Sequence, residues 1–575
     1  MNIKKIQKRL NSSFDGKVTA SYRDNSIVLE GELSSWDDIV KACYTAAKRY
    51  SKTHVVNDIK FTGAEIPKMR VPDFSDKSLE GSFWDVLIIG GGISGASIAR
   101  ELSKWELDVL LADKEPDLAL QASGRNDGEI HPGVDLSKGS LKHRYVLLGN
   151  KMYESVCKEL SVPFERRGQY VGFTQRWTFP FVVLYALKKK YIDDVTDTKI
   201  ISRKNLIAAE GKINPNFKFA LFNSSAACVC PYGITIAYAE NAVSNGVKVS
   251  LGTAVTGMVV EDENIVSVST NRGTIYPKLV INAAGVFSED VAKMAGDRFF
   301  SIHPRKGTDS ILDKKAGVLL NSIAAIKETA LKRSHTKGGG VLHTVHGNLL
   351  IGPDALETYK KEDTATEPSS ISKVFAKQKR TVPALTERDI ITYFAGVRAP
   401  TFEEDFIIEA GRKTKNIIHC AGIQSPGLTC APAIALDIEA KALEMLKKDG
   451  LVINENKSFN PIRKAIPALK EMAPKEREEL IKKNPDYGVI VCRCEEISKG
   501  EILDALSSPI SVPTVDGVKK RVRPGMGRCQ GGFCMPLVIQ IIADYLNIPM
   551  DEVKKSYDNS SVLFGDIKEK SKELL

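Results

Sequence analysis

The sequence has no hydrophobic run long enough to cross a bilayer. Hydrophobic residues make up 43% of the 575 positions, but no apolar stretch approaches the roughly 20 residues that a membrane-spanning helix needs. The first residues, MNIKKIQKRLNSSF, carry positive charge without the apolar segment of a secretory signal. The sequence therefore predicts a cytoplasmic protein without membrane spans.

A concentrated basic surface and internal repeats are also missing. The 81 basic and 71 acidic residues give a formal charge of +10, but the lysines are scattered along the chain. This distribution favours a small anionic ligand and predicts no nucleic-acid partner. The length exceeds what one hydrophobic core usually organises, so two or three domains are expected.

Five segments differ in pattern. Residues 1–65 combine alternating and helical periodicities and predict a small α+β domain. Residues 66–82 are rich in proline, glycine and charge and predict a linker. Interleaved strands and helices over 83–450 predict a large α/β domain, 451–485 a charged connector, and 486–575 a small domain that contains clustered cysteines.

The stretch FWDVLIIGGGISGASIARELSKWELDVLLADKE predicts a strand, a glycine-rich turn, a helix, a second strand and an acid. Gly90 suits the tight turn, Gly92 lets the backbone approach a pyrophosphate, and Gly95 lets helix and strand pack closely. Asp113 is placed to accept hydrogen bonds from a ribose. The predicted nucleotide contacts are Gly90, Gly92, Ile93, Ser94, Gly95, Asp113 and Lys114.

Four cysteines near the end of the chain form a C-x-C pair and a C-x-x-x-x-C pair. They are Cys492, Cys494, Cys529 and Cys534. Without a secretion signal, such clustered thiols indicate metal binding rather than disulfides. Four thiolates suit zinc or an iron-sulfur cluster, but zinc pairs are usually spaced by two to four residues, so C-x-C favours iron and sulfur.

The residues around these thiols support a cluster. Ser498 and Glu501 predict a capping box at the start of one helix. Pro536 suits the first turn of the next helix and places Cys534 at its N-terminus, where thiolate charge is stabilised. The nearby glycines leave room for backbone amides to point at sulfur.

Several separated segments resemble the FAD-dependent D-amino-acid-oxidase superfamily, within it the glycerol-3-phosphate and 2-hydroxyglutarate dehydrogenase branches. They are RNDGEIH, NAAG, FAGVRAP and GIQSPGLT, in the family's order over about 83–445. The resemblance implies a Rossmann-type FAD-binding domain with an interleaved α+β substrate domain. No histidine or cysteine stands in register for a covalent linkage, so a non-covalent flavin is expected.

The same resemblance implies further flavin contacts. RNDGEIH would run along the flavin, the NAAG strand end would approach the nucleotide half, and the GIQSPGLT loop would donate amides to the pyrimidine edge. The residues concerned are Arg125, Asn126, Gly128, His131, Ala284, Gly285, Gly396, Arg398, Gly422, Gly427, Leu428 and Thr429.

Arg398 matches the position at which this superfamily places an arginine against the substrate anion. A guanidinium offers a planar fork of donors that suits carboxylate or phosphate. The alternative is a structural ion pair with a nearby acid, namely Glu403, Glu404 or Asp405. Arg305 and Lys306 also resemble a family segment, PRKGE, but Thr308 replaces its acid and leaves the local hydrogen bonding open.

Three histidines are candidates for accepting the hydroxyl proton of a substrate: His131, His343 and His346. His131 is favoured because the resemblance places its segment nearest the flavin. Arg398, His131 and His346 are the predicted catalytic residues.

The C-terminal segment resembles the bacterioferritin-associated-ferredoxin-like (BFD-like) 2Fe-2S domain, and residues 1–65 resemble a BON domain, chiefly through SIVLEGEL. A BON domain implies a binding role, with peripheral contact at the inner face of the membrane as one option; a packing or dimerisation module is the alternative. The expected partners are a small anionic substrate and an external electron acceptor, a quinone or a redox protein. Homo- and hetero-oligomers both remain open.

A flavin takes two electrons as hydride whereas a 2Fe-2S cluster passes them singly, so the pairing predicts a dehydrogenase with an outside acceptor. Its expected reaction is oxidation of sn-glycerol 3-phosphate to dihydroxyacetone phosphate. The alternatives are a 2-hydroxyglutarate dehydrogenase, an opine- or proline-type dehydrogenase subunit, and a non-catalytic redox-responsive binding protein.

Overall fold

The computed structural model describes residues 3–327 and 339–565. The chain divides into two compact units, Met1–Phe459 and Asn460–Leu575. Each unit buries a hydrophobic core of its own.

The first 61 residues form a three-stranded sheet with two helices. Their elements are α1 (Ile3–Phe14), β1 (Val18–Arg23), β2 (Ser26–Leu33), α2 (Trp36–Ala46) and β3 (Val55–Phe61). β1 pairs with β2 antiparallel, and β2 pairs with β3 parallel. Asp24 and Asn25 both adopt positive φ, of 50° and 57°, as a two-residue hairpin turn requires.

This N-terminal segment packs on the rest of the large unit. Phe402 belongs to its hydrophobic core. Glu403 is buried and accepts the backbone N–H of Val55 at 2.9 Å, while its other oxygen lies 3.0 Å from Nδ1 of His54. The Tyr44 hydroxyl donates to Glu404 at 2.5 Å and accepts from Arg305 at 2.6 Å. These polar contacts fix the segment against the chain some 350 residues later.

The large unit continues with alternating strands and helices. Its first half comprises β4 (Ser82–Ile89), α3 (Ile93–Leu102), β5 (Val109–Ala112), β6 (Glu129–Ile130), α4 (Leu141–Glu159), β7 (Phe164–Glu165), β8 (Gln169–Phe173), α5 (Phe179–Tyr191), β9 (Thr198–Ser202), α6 (Arg203–Ala209), β10 (Phe219–Asn223), β11 (Ala227–Val229), α7 (Pro231–Ser244) and β12 (Lys248–Ser250).

The second half completes two large sheets. It comprises β13 (Val255–Glu261), β14 (Asn264–Thr270), β15 (Gly273–Asn282), α8 (Ser288–Met294), β16 (Arg305–Leu312), β17 (Ile323–Ile326), β18 (Gly340–His343), β19 (Leu349–Gly352), β20 (Leu356–Glu357), α9 (Pro368–Lys379), β21 (Ile390–Arg398), β22 (Ile407–Ala410), β23 (Ile417–Ala421) and α10 (Gly427–Lys448).

The first large sheet is the predicted nucleotide-binding sheet. Its strands run in the order β12-β5-β4-β15-β14-β13, with β23 beside β15 and β22 beside β23. β12, β5, β4, β15 and β23 are parallel, and α3 packs against α7 and α10. The carboxyl ends of the parallel strands therefore meet at one edge, where an open α/β sheet binds its ligand.

The second large sheet lies within the same unit and has the order β20-β16-β19-β18-β17-β8-β10-β9, with β21 beside β16. Most of its pairs are antiparallel, and α6 and α9 contribute to the hydrophobic core behind it. The two interleaved sheets confirm the predicted architecture of a Rossmann-type domain with an α+β substrate domain.

The C-terminal unit is small and mainly helical. Its elements are α11 (Pro474–Lys483), β24 (Ile490–Cys492), β25 (Ile497–Ser498), α12 (Lys499–Leu506), α13 (Val515–Val522) and α14 (Met535–Leu546). The predicted capping box is present, because Ser498 accepts the N–H of Glu501 and Glu501 accepts the N–H of Ser498. In the part of the chain that the structure describes, no helix has the length and apolar character to cross a membrane.

The Tyr44 contacts predict a stability effect. In Tyr44→Phe, Glu404 and Arg305 each lose a hydrogen-bond partner in a buried site, which should cost about 1 to 3 kcal/mol of unfolding free energy. The melting temperature of the large unit should fall accordingly. Tyr22→Phe is the matched control, because Tyr22 is 54% exposed on β1 and its loss should change little. Equal melting temperatures for the two variants would contradict a supporting role for Tyr44.

Candidate functional site

The turn between β4 and α3 is shaped by glycines with different tasks. Gly90 has a φ of +113°, and a Cβ there would lie 2.5 Å from the carbonyl of Ala283. A Cβ on Gly95 would collide with the carbonyl of Gly90, so both glycines serve close packing. Gly92 directly precedes α3, and a Cβ there would meet only the Ser123 side chain, whose Oγ would lie 2.9 Å away. A position at a helix N-terminus that is crowded by one small polar side chain and no backbone fits a pyrophosphate.

Asp113 follows β5 and braces this turn. One carboxylate oxygen accepts the N–H of Gly91 at 2.5 Å and the other accepts the N–H of Glu115 at 2.7 Å. Burial raises the pKa of Asp113 to about 6, although these two N–H groups act in the opposite direction. Lys114 pairs with Glu115 at 2.6 Å and with Glu362. The predicted ribose contact of Asp113 is a proposal that agrees with this position.

Other predicted flavin contacts lie at the same sheet edge. β15 and β23 run parallel to β4, with Asn282 opposite both Ile89 and His419. The residues Ala284 and Gly285 follow β15, and Gly422 follows β23, so their backbones reach the edge where Gly90 and Gly92 lie. Ile93 and Ser94 occupy the first turn of α3.

The segment from Arg125 to Gly128 is held as a fixed loop. Asn126 donates to the carbonyls of Ala122 and Ser123 at 3.0 and 2.9 Å and accepts the N–H of Gly128 at 3.0 Å. Its amide is therefore used for the loop itself. The Arg125 guanidinium donates to the carbonyl of Leu120 at 2.7 Å. The backbone of this segment, rather than these two side chains, is therefore available to contact a flavin.

On three strands of the second sheet, glycines leave one face without side chains, and we call it the glycine-cleared face. They are Gly307 on β16, Gly352 on β19 and Gly396 on β21. Gly307 pairs with Gly396, and paired residues project from the same face. A Cβ on Gly396 would lie 2.5 Å from the carbonyl of Arg125, so this loop lies directly on the sheet.

Two charged side chains occupy the glycine-cleared face. A Cβ on Gly307 would collide with the guanidinium of Arg398, and a Cβ on Gly352 would collide with the carboxyl of Asp309. Asp309 is 1% exposed, and its Oδ1 has no hydrogen-bond partner within residues 3–327 and 339–565. Burial and the neighbouring charge of Asp127 raise the pKa of Asp309. A neutral Asp309 can donate a hydrogen bond to a ligand on this face.

Arg398 is half-buried and has spare donors. Its Nη2 donates to the carbonyl of Asp354 at 2.6 Å. Burial lowers its pKa, against the raising effect of the Asp309 charge, and no ion pair to Arg398 lies within 4.0 Å among the described residues. A guanidinium that is anchored through one nitrogen beside a cleared surface can bind an anion through the others.

The three acids that could have formed an ion pair with Arg398 all bind other groups. Glu403 binds His54 and Val55, as described above. Glu404 pairs with Arg305 at 2.9 Å. Asp405 accepts the N–H groups of two residues at the start of α4, Leu141 and Lys142, at 2.9 and 3.0 Å. The structural ion pair that was the alternative for Arg398 is therefore absent from the described residues.

The neighbouring residues of the PRKGT segment have separate partners. Lys306 pairs with Asp363 at 3.0 Å and Glu367 at 2.8 Å. Thr308 replaces the family's acid, and its backbone N–H donates to Oδ1 of Asp354 at 2.7 Å. Its hydroxyl has no hydrogen-bond partner in the described part of the chain. Asp309, one residue further on, supplies a carboxyl on the glycine-cleared face.

His131 lies between β6 and the loop that precedes α10. Its Nδ1 is 3.0 Å from a carboxylate oxygen of Glu129, and its Nε2 is 3.2 Å from the hydroxyl of Ser425. Its backbone N–H donates to Thr429 at 2.9 Å. A carboxylate on Nδ1 orients the ring and leaves Nε2 as the nitrogen able to take up a proton.

The structure separates the other two histidines from Arg398. Gly340 of β18 pairs with Gly352 on the glycine-cleared face, whereas His343 pairs with Leu349. His343 lies three residues beyond Gly340 along β18, which is about 10 Å in an extended strand. His346 lies further on, in the β18–β19 turn. By this register, neither histidine lies beside the glycines of the face that holds Arg398.

The GIQSPGLT loop joins the site to the N-terminal segment. Gly422 has a φ of +69°, Gly427 begins α10, and Leu428 accepts a hydrogen bond from Tyr153 at 2.5 Å. Gln424 donates to Glu404 at 2.7 Å, and Glu404 is also bonded by Tyr44. Sequence patterns missed Tyr44, Gln424 and Asp309. Only Asp309 could have been found from the sequence, because it is an acid one position after Thr308, which replaces the acid of the family segment.

The four clustered cysteines come together in the C-terminal unit. The sulfur of Cys494 is 3.9 Å from those of Cys492 and Cys529. A hydrogen bond from Cys534 lowers the pKa of Cys492 to about 5, and the backbone N–H of Phe533 lowers the pKa of Cys529. Cys534 directly precedes α14, as predicted.

The donor set of these cysteines fits a two-iron cluster. Within the described ranges, no three Cys, His, Asp or Glu side chains are arranged to hold a metal ion. A 2Fe-2S cluster needs only two cysteines at each iron. A Cβ on Gly527 would collide with the sulfur of Cys494, so this glycine lets the backbone approach the thiols closely.

Comparison with known proteins agrees with both sites. A family model described as FAD dependent oxidoreductase matches residues 85–439, and one described as BFD-like [2Fe-2S] binding domain matches residues 490–544. A glycerol 3-phosphate dehydrogenase of Caloramator mitchellensis is 39% identical over 491 residues, which cover 84% of this chain and 99% of that protein.

Two further proteins extend the comparison. The anaerobic glycerol-3-phosphate dehydrogenase subunit A1 of Haloferax volcanii is 23% identical over 505 residues, covering 78% of this chain and 81% of its own. The structure of dithionite-reduced L-alpha-glycerophosphate oxidase from Mycoplasma pneumoniae with FAD bound matches with a TM-score of 0.60 and 27% identity, covering 66% of this chain and 98% of that chain. The chain therefore belongs to the FAD-dependent oxidoreductase family, in a form that carries a BFD-like 2Fe-2S domain, and its cofactors are FAD and a 2Fe-2S cluster.

Proposed function

We propose that this protein is a dehydrogenase that oxidises sn-glycerol 3-phosphate to dihydroxyacetone phosphate and passes the electrons through its 2Fe-2S cluster to an external acceptor. The observation that carries the proposal is that Arg398, on the glycine-cleared face, uses Nη2 to bind a carbonyl and keeps its other donors for a ligand. The glycerol 3-phosphate dehydrogenase that covers 84% of this chain supports the same substrate.

Arg398 would hold the substrate's anionic group. Its Nη2 contact with the Asp354 carbonyl fixes the plane of the guanidinium. Once its anionic group is bound, the substrate loses translational freedom. Its secondary hydroxyl and the carbon that bears it are then held in one orientation. Asp309 lies on the same face and can donate to a substrate oxygen while its carboxyl is neutral.

His131 would accept the hydroxyl proton at Nε2. The Glu129 carboxylate, 3.0 Å from Nδ1, stabilises the imidazolium that forms. Bound FAD supplies the acceptor for the hydride from the adjacent carbon. Proton and hydride together account for the two hydrogens that the alcohol loses.

The nucleotide contacts at the sheet edge are part of this proposal. Gly92 and the first turn of α3 would hold the pyrophosphate, Asp113 the ribose, and the loops at Arg125 and Gly427 the flavin. The fixed loops that surround these residues support the assignment, since a preformed backbone places its donors without an ordering cost.

The cysteine cluster indicates where the electrons leave. A 2Fe-2S centre passes electrons singly, whereas a flavin that reacts directly with oxygen needs no such centre. The Haloferax relative is by name a subunit, which supports transfer to a partner. We infer a quinone or a redox protein as that acceptor. We also infer a cytoplasmic location, because the six cysteines outside the cluster form no disulfide.

A 2-hydroxy acid is the second substrate candidate, because a guanidinium also suits a carboxylate. Anaerobic mixing of the purified protein with glycerol 3-phosphate, 2-hydroxyglutarate and amino acids, followed at the flavin absorption band, distinguishes these classes. Bleaching by glycerol 3-phosphate alone is expected. Bleaching only by an amino acid, or by none of the compounds, would contradict the proposal.

Arg398→Ala should lower kcat/KM by the equivalent of a charge-assisted hydrogen bond or more, on the order of 2 to 4 kcal/mol. Flavin content and melting temperature should stay near those of the parent, because the lost structural contact is one carbonyl. Arg398→Lys should recover part of the rate, since it keeps the charge without the planar fork. Arg388→Ala, at an exposed arginine, is the control; an Arg398→Ala enzyme with unchanged kinetics would remove Arg398 from the site.

His131→Asn should lower kcat by about 100- to 10,000-fold, because a positioned base contributes about that much. The rate that remains should lose the pH dependence of a histidine base. His346→Asn, in the remote β18–β19 turn, should leave kcat nearly unchanged. Stopped-flow reduction of the flavin at several pH values measures both variants, and the reverse order of effects would contradict the assignment.

Cys529→Ser should remove about two iron and two sulfide per chain while leaving FAD bound. Substrate should still bleach the flavin, but one-electron acceptors should no longer reoxidise it quickly. Cys157→Ala, at a buried thiol of α4, should keep its iron. Stoichiometric zinc in the anaerobically purified parent protein would contradict the iron-sulfur assignment.

A further inference from the structure

The outer side of α5 and the turn before it is unusually apolar. Trp177, Phe181, Leu184 and Tyr191 follow one another at spacings of four, three and seven residues, and each is 62% to 70% exposed. This spacing places them on one side of the helix. We call these four residues the outer stripe. A surface helix normally carries polar residues on that side.

The opposite side of α5 is already packed. Val182 and Ala186 belong to the hydrophobic cluster over β8 and β10. Lys189 is buried, pairs with Asp193 at 2.8 Å and donates to the carbonyl of Leu136. The helix is therefore fixed to its own unit by its inner side, and the outer stripe faces away from that core.

The charged residues of α5 and of the turn before it are all basic. Residues 175–192, QRWTFPFVVLYALKKKYI, contain one arginine and three lysines and no acidic residue. Lys188 pairs with the buried Asp193 at 3.1 Å, and Lys190 lies over the Tyr191 ring. Two exposed acids lie near the helix: Asp194, which is paired with Lys138, and Asp135, whose charge reaches Tyr185.

We propose that the outer stripe docks into the headgroup region of an anionic lipid bilayer, with α5 parallel to the surface. Tryptophan and tyrosine rings favour that region, and lysines beside an apolar face bind anionic headgroups. The 13 residues of α5 extend about 20 Å, too short to cross a bilayer, so the helix would lie on it.

The charge of this surface favours a lipid bilayer over a second copy of the protein. A second copy would bring two predominantly basic faces together across a two-fold axis, where Asp193 and Asp194 are already paired with lysines of their own chain. A lipid surface with negative headgroups supplies that charge along the whole helix. The proposal concerns binding to lipid and goes beyond the proposed reaction, since it involves neither substrate nor electron acceptor.

The test uses the full-length holoprotein and vesicles of phosphatidylcholine, with or without phosphatidylglycerol. Cosedimentation should show binding to the anionic vesicles only, weakened by salt. The emission of Trp177 should shift to shorter wavelength, and a Trp177→Phe variant assigns the shift. Phe181→Ser should reduce the apparent affinity about tenfold or more, as should Lys188→Gln combined with Lys190→Gln.

Matched controls are Val318→Ser, which removes a side chain that is 78% exposed elsewhere on the unit, and Lys373→Gln with Lys379→Gln on α9. Both should bind vesicles like the parent protein. The proposal is overturned if no vesicle binds, if both lipid compositions bind equally, or if the controls lose binding as the α5 variants do. It is also overturned if Phe181→Ser changes only the oligomeric state or the reduction of the cluster, because α5 would then contact protein. Vesicle binding and Trp177 emission are measured without substrate, so the two proposals fail separately.

Discussion

The buried ion pair between Arg305 and Glu404 is the contact on which the large unit's arrangement depends. Arg305 is 2% exposed, and its guanidinium also binds Glu357 at 2.7 Å and Tyr44 at 2.6 Å. Although burial acts to raise it, the pKa of Glu404 is lowered to about 2 by Arg305 and Lys142. Breaking a buried pair costs about 3 to 5 kcal/mol because it leaves an uncompensated charge. The pair therefore holds only while all its partners stay in place.

Those partners come from parts of the chain with different tasks. Tyr44 belongs to the N-terminal segment, Arg305 begins β16 of the second large sheet, and Gln424 belongs to the loop proposed to bind the flavin. One polar network thus fixes three elements relative to one another. These are contacts that a packing module would make, whereas the BON-like binding role stays a prediction.

Local patterns could be predicted where the cause was local. The turn at Gly90, the capping box of Ser498 and the position of Cys534 depend on residues a few positions apart, and the structure contains each of them. The glycine-cleared face could not be predicted in this way. It arises because Gly307 pairs with Gly396 and Asp309 lies over Gly352, and strand pairing across some 90 residues leaves no periodic signal in the sequence.

Whether Arg398 pairs with a nearby acid or binds a ligand could not be predicted from the sequence, and it depends on the fold. Three acids lie within seven residues of it in the chain, and proximity alone would favour an ion pair. Each acid is bound by other groups: Glu403 by the N-terminal segment, Glu404 by Arg305, and Asp405 by the first N–H groups of α4. Because a carboxylate satisfied by such donors gains little from moving, the donors of Arg398 stay available for an anionic ligand. The N-terminal segment therefore supports the proposed anion site without touching it, by occupying Glu403 and helping to hold Glu404.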